Sequence, residues 1–315
     1  MKPYRVLLYE DMHSAGKQLL AEKAELIFAR SLDEDALMEQ VADVDAIIIR
    51  ANGSVSARLM DAAPRLKVIG RHGVGVDAID LEAARQRGII VCNTPWANVE
   101  SVAEQAVGFM IAVSKHILRA DKAIRQGRWE VRYEYIGQEL RGKILGLIGM
   151  GRIGTRVAEI CHLAFGMPIL YYDLVSYLEP EAKLGAKKVS LEEVLQQADY
   201  ISLHVPLTPA TKGMIGEQQF NMMKEGAIFI NTARGAIVDE AALIEALRCG
   251  HLGGAGLDVY AVEPPPKDNP LFQLDNVVLS PHMAAHTEDA LREMSMIAEE
   301  VLRVLEGKEA LFRVV

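Results

Sequence analysis

The sequence predicts an α/β protein built from two doubly wound, parallel-sheet domains. Short apolar runs alternate with amphipathic segments of helix length along almost the whole chain. The runs are apolar nearly throughout, as strands buried on both faces of a parallel sheet must be. They fall into two series, divided by one long apolar segment that starts just after Asn98.

The first series comprises Arg5–Tyr9, Ala46–Ile49, Lys67–Ile69 and Ile89–Cys92. The second comprises Ile144–Ile148, Ile169–Tyr172, Tyr200–Leu203, Ala227–Asn231, Gly254–Asp258 and Val277–Leu279. Between them, Ser101-Val-Ala-Glu104 has capping-box spacing and opens a predicted helix that runs to about Arg125. Its apolar positions (Val102, Ala106, Val107, Phe109, Met110, Val113 and Ile117) wrap most of the circumference, so a second domain or a second subunit is expected to cover it. A further helix is expected from about Glu288 to Leu305, stopped by Gly307 and returning to the first domain.

Composition narrows the function. The 315 residues are half hydrophobic with a formal charge of −9, which suits two packed domains and excludes a general nucleic-acid binder. No apolar stretch is long enough to span a bilayer, and no signal-peptide pattern follows Met1-Lys-Pro-Tyr-Arg5, so a cytoplasmic protein is expected. The three cysteines, Cys92, Cys161 and Cys249, form no C-x-x-C pair and read as reduced thiols. His282 and His286 are four apart, but Met283 stands where a zinc-protease helix needs Glu, so no metal is expected.

Two glycine patterns compete for a dinucleotide. Gly73-Val-Gly75 follows one strand, and Gly149-Met-Gly151-Arg152-Ile153-Gly154 follows another. The strand after the second pattern ends in Asp173, a carboxylate placed for ribose hydroxyls, whereas the strand after the first ends in Asn93. The second is therefore the predicted cofactor site. Asp173 would repel a 2′-phosphate, and no Arg follows it, which favours NAD over NADP. The first pattern is a tight turn that can still present backbone amides to an anion.

Three ionisable residues follow strands of the second series, where open α/β sheets bind ligands: Arg234, Glu263 and His282. Interconverting an alcohol and a ketone by hydride needs a proton carrier near neutrality, a carboxylate to stabilise its charged form, and a forked cation for a substrate carboxylate and carbonyl. His, Glu and Arg suit those tasks. Taken singly, each also reads as a satisfied core histidine or a surface charge, and spacing leaves that reading open.

From Gly70-Arg-His-Gly-Val-Gly-Val-Asp77 through the glycine fingerprint to Ser280-Pro-His282, the chain resembles the D-2-hydroxyacid dehydrogenase family. Asn93-Thr-Pro95, Ser101–Glu104 and Gly127-Arg-Trp-Glu130 bring it nearest to that family's phosphoglycerate dehydrogenase branch. The resemblance implies catalytic roles for Arg234, Glu263 and His282, and places Asp258 near the nicotinamide with His204, Pro206 and Thr232 along the cofactor. It implies two Rossmann-like or flavodoxin-like domains with the active site in the cleft between them. Residues 1–98 plus 287–315 would bind substrate and residues 99–286 would bind NAD. Gln is the formate dehydrogenase residue at the position of Glu263, which argues against that branch.

The resemblance further implies that Arg50, Arg71, Val74, Gly75 and Arg132, with Arg234, face the substrate. Ala51-Asn-Gly53 would add backbone donors for a carboxylate. Surplus Arg in an acidic protein suggests a second anionic group, making 3-phosphoglycerate and 3-phosphohydroxypyruvate the expected pair. A hydroxypyruvate or glyoxylate reductase, or a sulfolactate-type dehydrogenase, is the alternative. A corepressor-like protein that senses NADH is the rival from another class. The expected partners are a small anionic 2-hydroxy acid and a second copy of the chain, since relatives pair through the cofactor domain. Feedback through a carboxy-terminal regulatory domain is not expected.

Overall fold

The computed structural model describes residues 3–315 and divides into two compact units. The first runs up to Asn98 and resumes at His286–Val315; the second is Val99–Ala285.

In the first unit, five parallel strands form one sheet among the described residues. They are β1 (Tyr4–Leu8), β2 (Ala24–Phe28), β3 (Ala46–Ile49), β4 (Val68–Arg71) and β5 (Ile90–Cys92), in the order β2-β1-β3-β4-β5. Strand order reverses between β1 and β3, so the loops after these two strands diverge at a topological switch point, the usual place for a ligand crevice. Val6, Leu8, Ile48 and Val68 pack on one face with Ile297, Val301 and Leu305 of the helix Ile297–Leu305. The last stretch of the chain therefore returns to this sheet, as its position in the sequence suggested. The predicted terminal helix is two helices, Glu288–Ser295 and Ile297–Leu305, joined at Met296.

The second unit holds a seven-stranded parallel sheet among the described residues. Its strands are β6 (Leu145–Ile148), β7 (Ile169–Tyr172), β8 (Lys187–Lys188), β9 (Tyr200–Leu203), β10 (Ala227–Asn231), β11 (Leu252–Leu257) and β12 (Val277–Leu279). Their order is β12-β11-β10-β9-β6-β7-β8, with the switch point between β6 and β9.

The long apolar segment differs from expectation in three respects. Its helix begins at Val99 and ends at Ser114, and a second helix, Ile117–Arg125, follows a break at His116, whose φ of 51° is left-handed. The Ser101 hydroxyl does not cap the helix; it donates to the Ala284 carbonyl at 2.6 Å. The cover comes from the unit's own sheet and from the helix Arg152–Phe165 that follows the glycine fingerprint. Phe109 and Val113 press so closely on β11 that a Cβ at Gly256 would lie 2.4 Å from Phe109 Cβ, and one at Gly254 would lie 2.6 Å from Val113 Cγ1. The sheet and that helix thus account for the burial of the apolar positions from Val102 to Val113.

Candidate active site

The fingerprint loop is shaped by its glycines. Gly149, just past β6, has φ 98°, and a Cβ there would lie 2.7 Å from the His204 carbonyl carbon. A Cβ at Gly154 would fall 2.2 Å from the Gly149 carbonyl oxygen. Only glycine fits either place. Gly151 caps the 14-residue helix Arg152–Phe165 and has no atom within 4 Å of its Cβ direction. The helix N-terminus thus opens on free space, where its amides and dipole favour an anion such as a pyrophosphate. Arg152 begins that helix on the exposed side, while Ile153 is half-buried against the core.

Around this loop the predicted cofactor residues are distributed as follows. Asp173 lies just beyond β7, the neighbour of β6, and its Oδ2 accepts the Met150 amide at 2.9 Å. His204 follows β9; its Nε2 is 2.9 Å from Ser202 Oγ, and burial pushes the imidazole down to about 3, so it is neutral. Pro206 is exposed, with its carbonyl accepting the Thr211 hydroxyl. The Thr232 hydroxyl is buried with no partner within the protein. An open helix N-terminus, a carboxylate one strand away and an orphaned hydroxyl past β10 are the fixtures a dinucleotide uses, and they fit NAD.

On the β10, β11 and β12 side of the sheet, Glu263 and His282 are hydrogen-bonded, and Arg234 is near enough for its charge to act on Glu263. Glu263 Oε2 accepts from His282 Nδ1 at 2.6 Å, and Glu263 Oε1 accepts the Tyr260 amide at 3.0 Å. Burial acts to raise the Glu263 carboxyl, but the bonds from His282 and Tyr260 and the charges of His282 and Arg234 outweigh it and hold the carboxyl below its usual range. Because a carboxylate only accepts, Nδ1 carries the hydrogen and Nε2 is left for chemistry. Arg234 is steadied from its own loop: its Nη1 donates to the Ala233 carbonyl at 2.7 Å, and Asn231 Nδ2 donates to the Arg234 carbonyl at 3.0 Å. The next residue must be glycine, since a Cβ at Gly235 would lie 1.9 Å from the Tyr260 carbonyl oxygen.

His282 itself has φ 49°, a left-handed conformation that costs a non-glycine residue about 1–2 kcal/mol. Asp258 holds it there. This fully buried carboxylate accepts the Met283 amide at 2.8 Å, the Ala284 amide at 2.8 Å and the Ser280 hydroxyl, while its own carbonyl accepts the His282 amide at 2.7 Å. Both Asp258 oxygens are thus committed to building the histidine loop.

The remaining predicted residues belong mostly to the first unit. Arg71 turns onto its own loop, with Nε donating to the Gly75 carbonyl at 2.5 Å and Nη1 to the His72 carbonyl. Asn93 Nδ2 holds the Val74 carbonyl at 2.9 Å, and the Gly73 amide donates to Thr94 Oγ1. Arg50, just past β3, donates to the Asp11 carbonyl at 2.8 Å, and its Nη2 is 3.5 Å from His286 Nε2. The amides of Ala51 and Asn52 do hold a carboxylate, and it is that of Glu10. Arg132, in the second unit, lies 5.2 Å from the Tyr133 ring centroid on an exposed turn. The sequence gives no sign of the parts played by Glu10 and Tyr260 and shows Ser280 and Asn93 only as motif positions, because their contributions depend on contacts between loops. Among the described residues, no cluster of three or more His, Cys, Asp or Glu could hold a metal, and no helix is long and apolar enough to cross a membrane.

Residues 107–284 match the family described as D-isomer specific 2-hydroxyacid dehydrogenase, NAD binding domain. A D-3-phosphoglycerate dehydrogenase of Archaeoglobus fulgidus is 46% identical over 88% of this chain, which spans about half (52%) of that relative's length. A hydroxypyruvate reductase of Thermotoga maritima is 42% identical over 97% of this chain and 99% of its own. The crystal structure of the D-lactate dehydrogenase of Aquifex aeolicus, complexed with NAD and lactic acid, superposes with a TM-score of 0.88 at 32% identity, covering 98% of this chain and 99% of that one. With two parallel-sheet units, a glycine-shaped dinucleotide loop and these similarities, the chain belongs to the D-isomer specific 2-hydroxyacid dehydrogenase family.

Proposed function

We propose that this chain is an NAD-dependent oxidoreductase that interconverts a D-2-hydroxy acid and its 2-keto acid. The observation that carries the reading is the 2.6 Å bond between Glu263 and His282, beside Arg234 in the sheet that bears the fingerprint loop. Bound NADH supplies hydride for the keto carbon. His282, held through Nδ1, delivers its Nε2 proton to the developing alkoxide and takes it back in the oxidative direction. Glu263 stabilises the imidazolium before that transfer. Arg234 pairs with the substrate carboxylate and polarises the adjacent carbonyl. The loop built on Asp258 keeps the histidine in place.

For the substrate, we favour a keto acid with an uncharged third carbon, of the hydroxypyruvate class. Arg71 spends two of its donors on its own loop carbonyls, which leaves fewer of them to grip a phosphate. The name of the T. maritima relative supports the same reading. The phosphoglycerate pair is the second reading, supported by Arg50 at the switch point and by the name of the A. fulgidus relative. The free thiols of Cys92, Cys161 and Cys249 suit a cytoplasmic setting.

A homodimer is also part of this reading. Ile117, Leu118, Ile124, Trp129, Tyr133 and Ile136 lie within 20 residues of chain and are all more than two-fifths exposed. So much apolar surface on one segment is what a partner subunit covers. The reaction is tested by supplying NADH and hydroxypyruvate and resolving the product on a chiral column. D-glycerate is expected; the L-enantiomer, or no product, refutes the assignment.

A further inference from the structure

The loop that carries Glu263 has little of the core to rest on. Residues 261–268, between Tyr260 and Asn269, are all exposed or half-buried, and the apolar Val262 faces solvent. Such a segment is held by hydrogen bonds rather than by burial, and it opens easily where those are few. Yet Glu263 has to stay within bonding distance of His282.

Glu240, in the same unit, meets both ends of this loop. Its Oε2 accepts the Ala261 amide at 2.9 Å, and its Oε1 accepts Asn269 Nδ2 at 2.9 Å. Asn269 is a fixed point: it is 5% exposed, and its Oδ1 takes the amide of the core residue Leu271. Glu240 is fixed as well, because it opens the helix Glu240–Arg248, which packs Leu243, Ile244 and Leu247 into that core. An acid in the first turn of a helix is ordinarily there for the helix dipole or the cap. Here Asp239 does the capping, with its Oδ1 taking the Ala241 and Ala242 amides. Both Glu240 oxygens are left to reach away from the helix.

From Ala261 the path to the chemistry is short. The peptide that Glu240 grips by its N–H has its carbonyl, that of Tyr260, against Gly235. The preceding amide, also of Tyr260, donates to Glu263 Oε1, and Glu263 Oε2 takes His282 Nδ1. Freeing the Ala261 peptide therefore loosens the amide that orients the Glu263 carboxylate.

We propose that Glu240 is a positioning residue whose carboxylate clasps both ends of the 261–268 loop and so holds Glu263 against His282. This rests on the keto-acid reading above, in which that pair handles the proton.

The test compares wild type, Glu240→Gln and Glu240→Ala, each also combined with Glu263→Gln. Gln keeps the side chain's length but leaves one acceptor for two donors, so one end of the loop is released; Ala releases both. Kinetics use NADH and whichever of hydroxypyruvate, glyoxylate and pyruvate the wild type turns over fastest. Glu240→Ala should lower kcat about tenfold or more and Glu240→Gln by less, with KM for NADH within about twofold. In the Glu263→Gln background the same changes should cost little further kcat, because Glu240 acts through Glu263. Trypsin should cut after Lys267 faster in both single variants than in wild type, as read by mass spectrometry. If Glu240→Ala does not melt cooperatively, Glu240→Gln decides by the same criteria. An unaltered kcat, an equal loss in both backgrounds, or unchanged cutting after Lys267 overturns the role of Glu240 while leaving the keto-acid reading in place. Wild-type inactivity with every acid overturns that reading, and this inference with it.

Discussion

The Glu263 carboxylate holds the histidine and its own loop at once: one oxygen takes the 2.6 Å bond from His282 Nδ1, and the other takes the Tyr260 amide. Replacing it by Gln keeps the shape and removes the charge. Without the anion, the imidazolium that hands over the proton loses its stabilising partner, and kcat for keto-acid reduction should fall about tenfold or more. The Glu263 carboxyl is itself held below its usual range, so it contributes stability above the unfolded carboxylate range that is lost as pH falls through its folded value. The variant should therefore lose less stability than wild type on acidification. Steady-state kinetics and melts across pH check both; an undiminished kcat removes Glu263 from the mechanism.

Asp173 stands one strand from the fingerprint loop and is bound to the Met150 amide. Asp173→Ala should raise KM for NADH about tenfold while leaving kcat within a few-fold, through loss of charge-assisted bonds. It should also narrow the preference for NADH over NADPH, because the charge that repels a 2′-phosphate is gone. Parallel kinetics with both nucleotides decide the matter, and an unchanged ratio of their kcat/KM values would count against cofactor selection by this residue.

Asp258→Ala strips the acceptor from three donors: the Ser280 hydroxyl and the Met283 and Ala284 amides. The expected destabilisation is about 3 kcal/mol or more, since each buried donor left unmatched costs on the order of 1–3 kcal/mol. Activity should fall as well, because the left-handed turn at His282 loses its support. Chemical denaturation together with kcat measures both. A stable but inactive variant would instead assign Asp258 to direct contact with ligand.

Much of this was legible in the sequence, because fully buried parallel strands have to be apolar runs and a dinucleotide turn has to be glycine. What escaped has identifiable physical causes. β2 follows directly on the helix Ser14–Lys23 with no turn residue between, so Ala24–Phe28 reads as more helix. β8 is a two-residue edge pair of exposed lysines and carries no apolar signal. The break at His116 has no Gly or Pro to announce it. The cover over Phe109 depends on Gly256 on a strand far along the chain, which no local pattern reveals.

In the site, strand ends pointed to Arg234, Glu263 and His282, since open sheets bind ligands there. Charge was legible, but its direction was not. Arg71 is cationic on paper and turns to the Gly75 carbonyl in space, while the amides of Ala51 and Asn52 take a carboxylate 41 and 42 residues away, that of Glu10.

The exposed apolar segment from Ile117 to Ile136 gives the dimer its test. Ile136 is 82% exposed and should tolerate Glu in the isolated subunit, whereas a charge in a subunit interface would weaken association. Sedimentation velocity should show a wild-type dimer and a dilution-sensitive or monomeric Ile136→Glu variant. A wild-type monomer would refute pairing outright, and an undisturbed dimer would move the interface elsewhere.

The most direct test of the central claim is steady-state oxidation of NADH by wild type and His282→Ala across a panel of 2-keto acids. The account predicts clear turnover of at least one acid by wild type and a fall in kcat of about 10²–10⁴-fold in the variant, with NADH affinity unchanged within a few-fold. NADH binding without turnover of any acid, or a variant as fast as wild type, would contradict it.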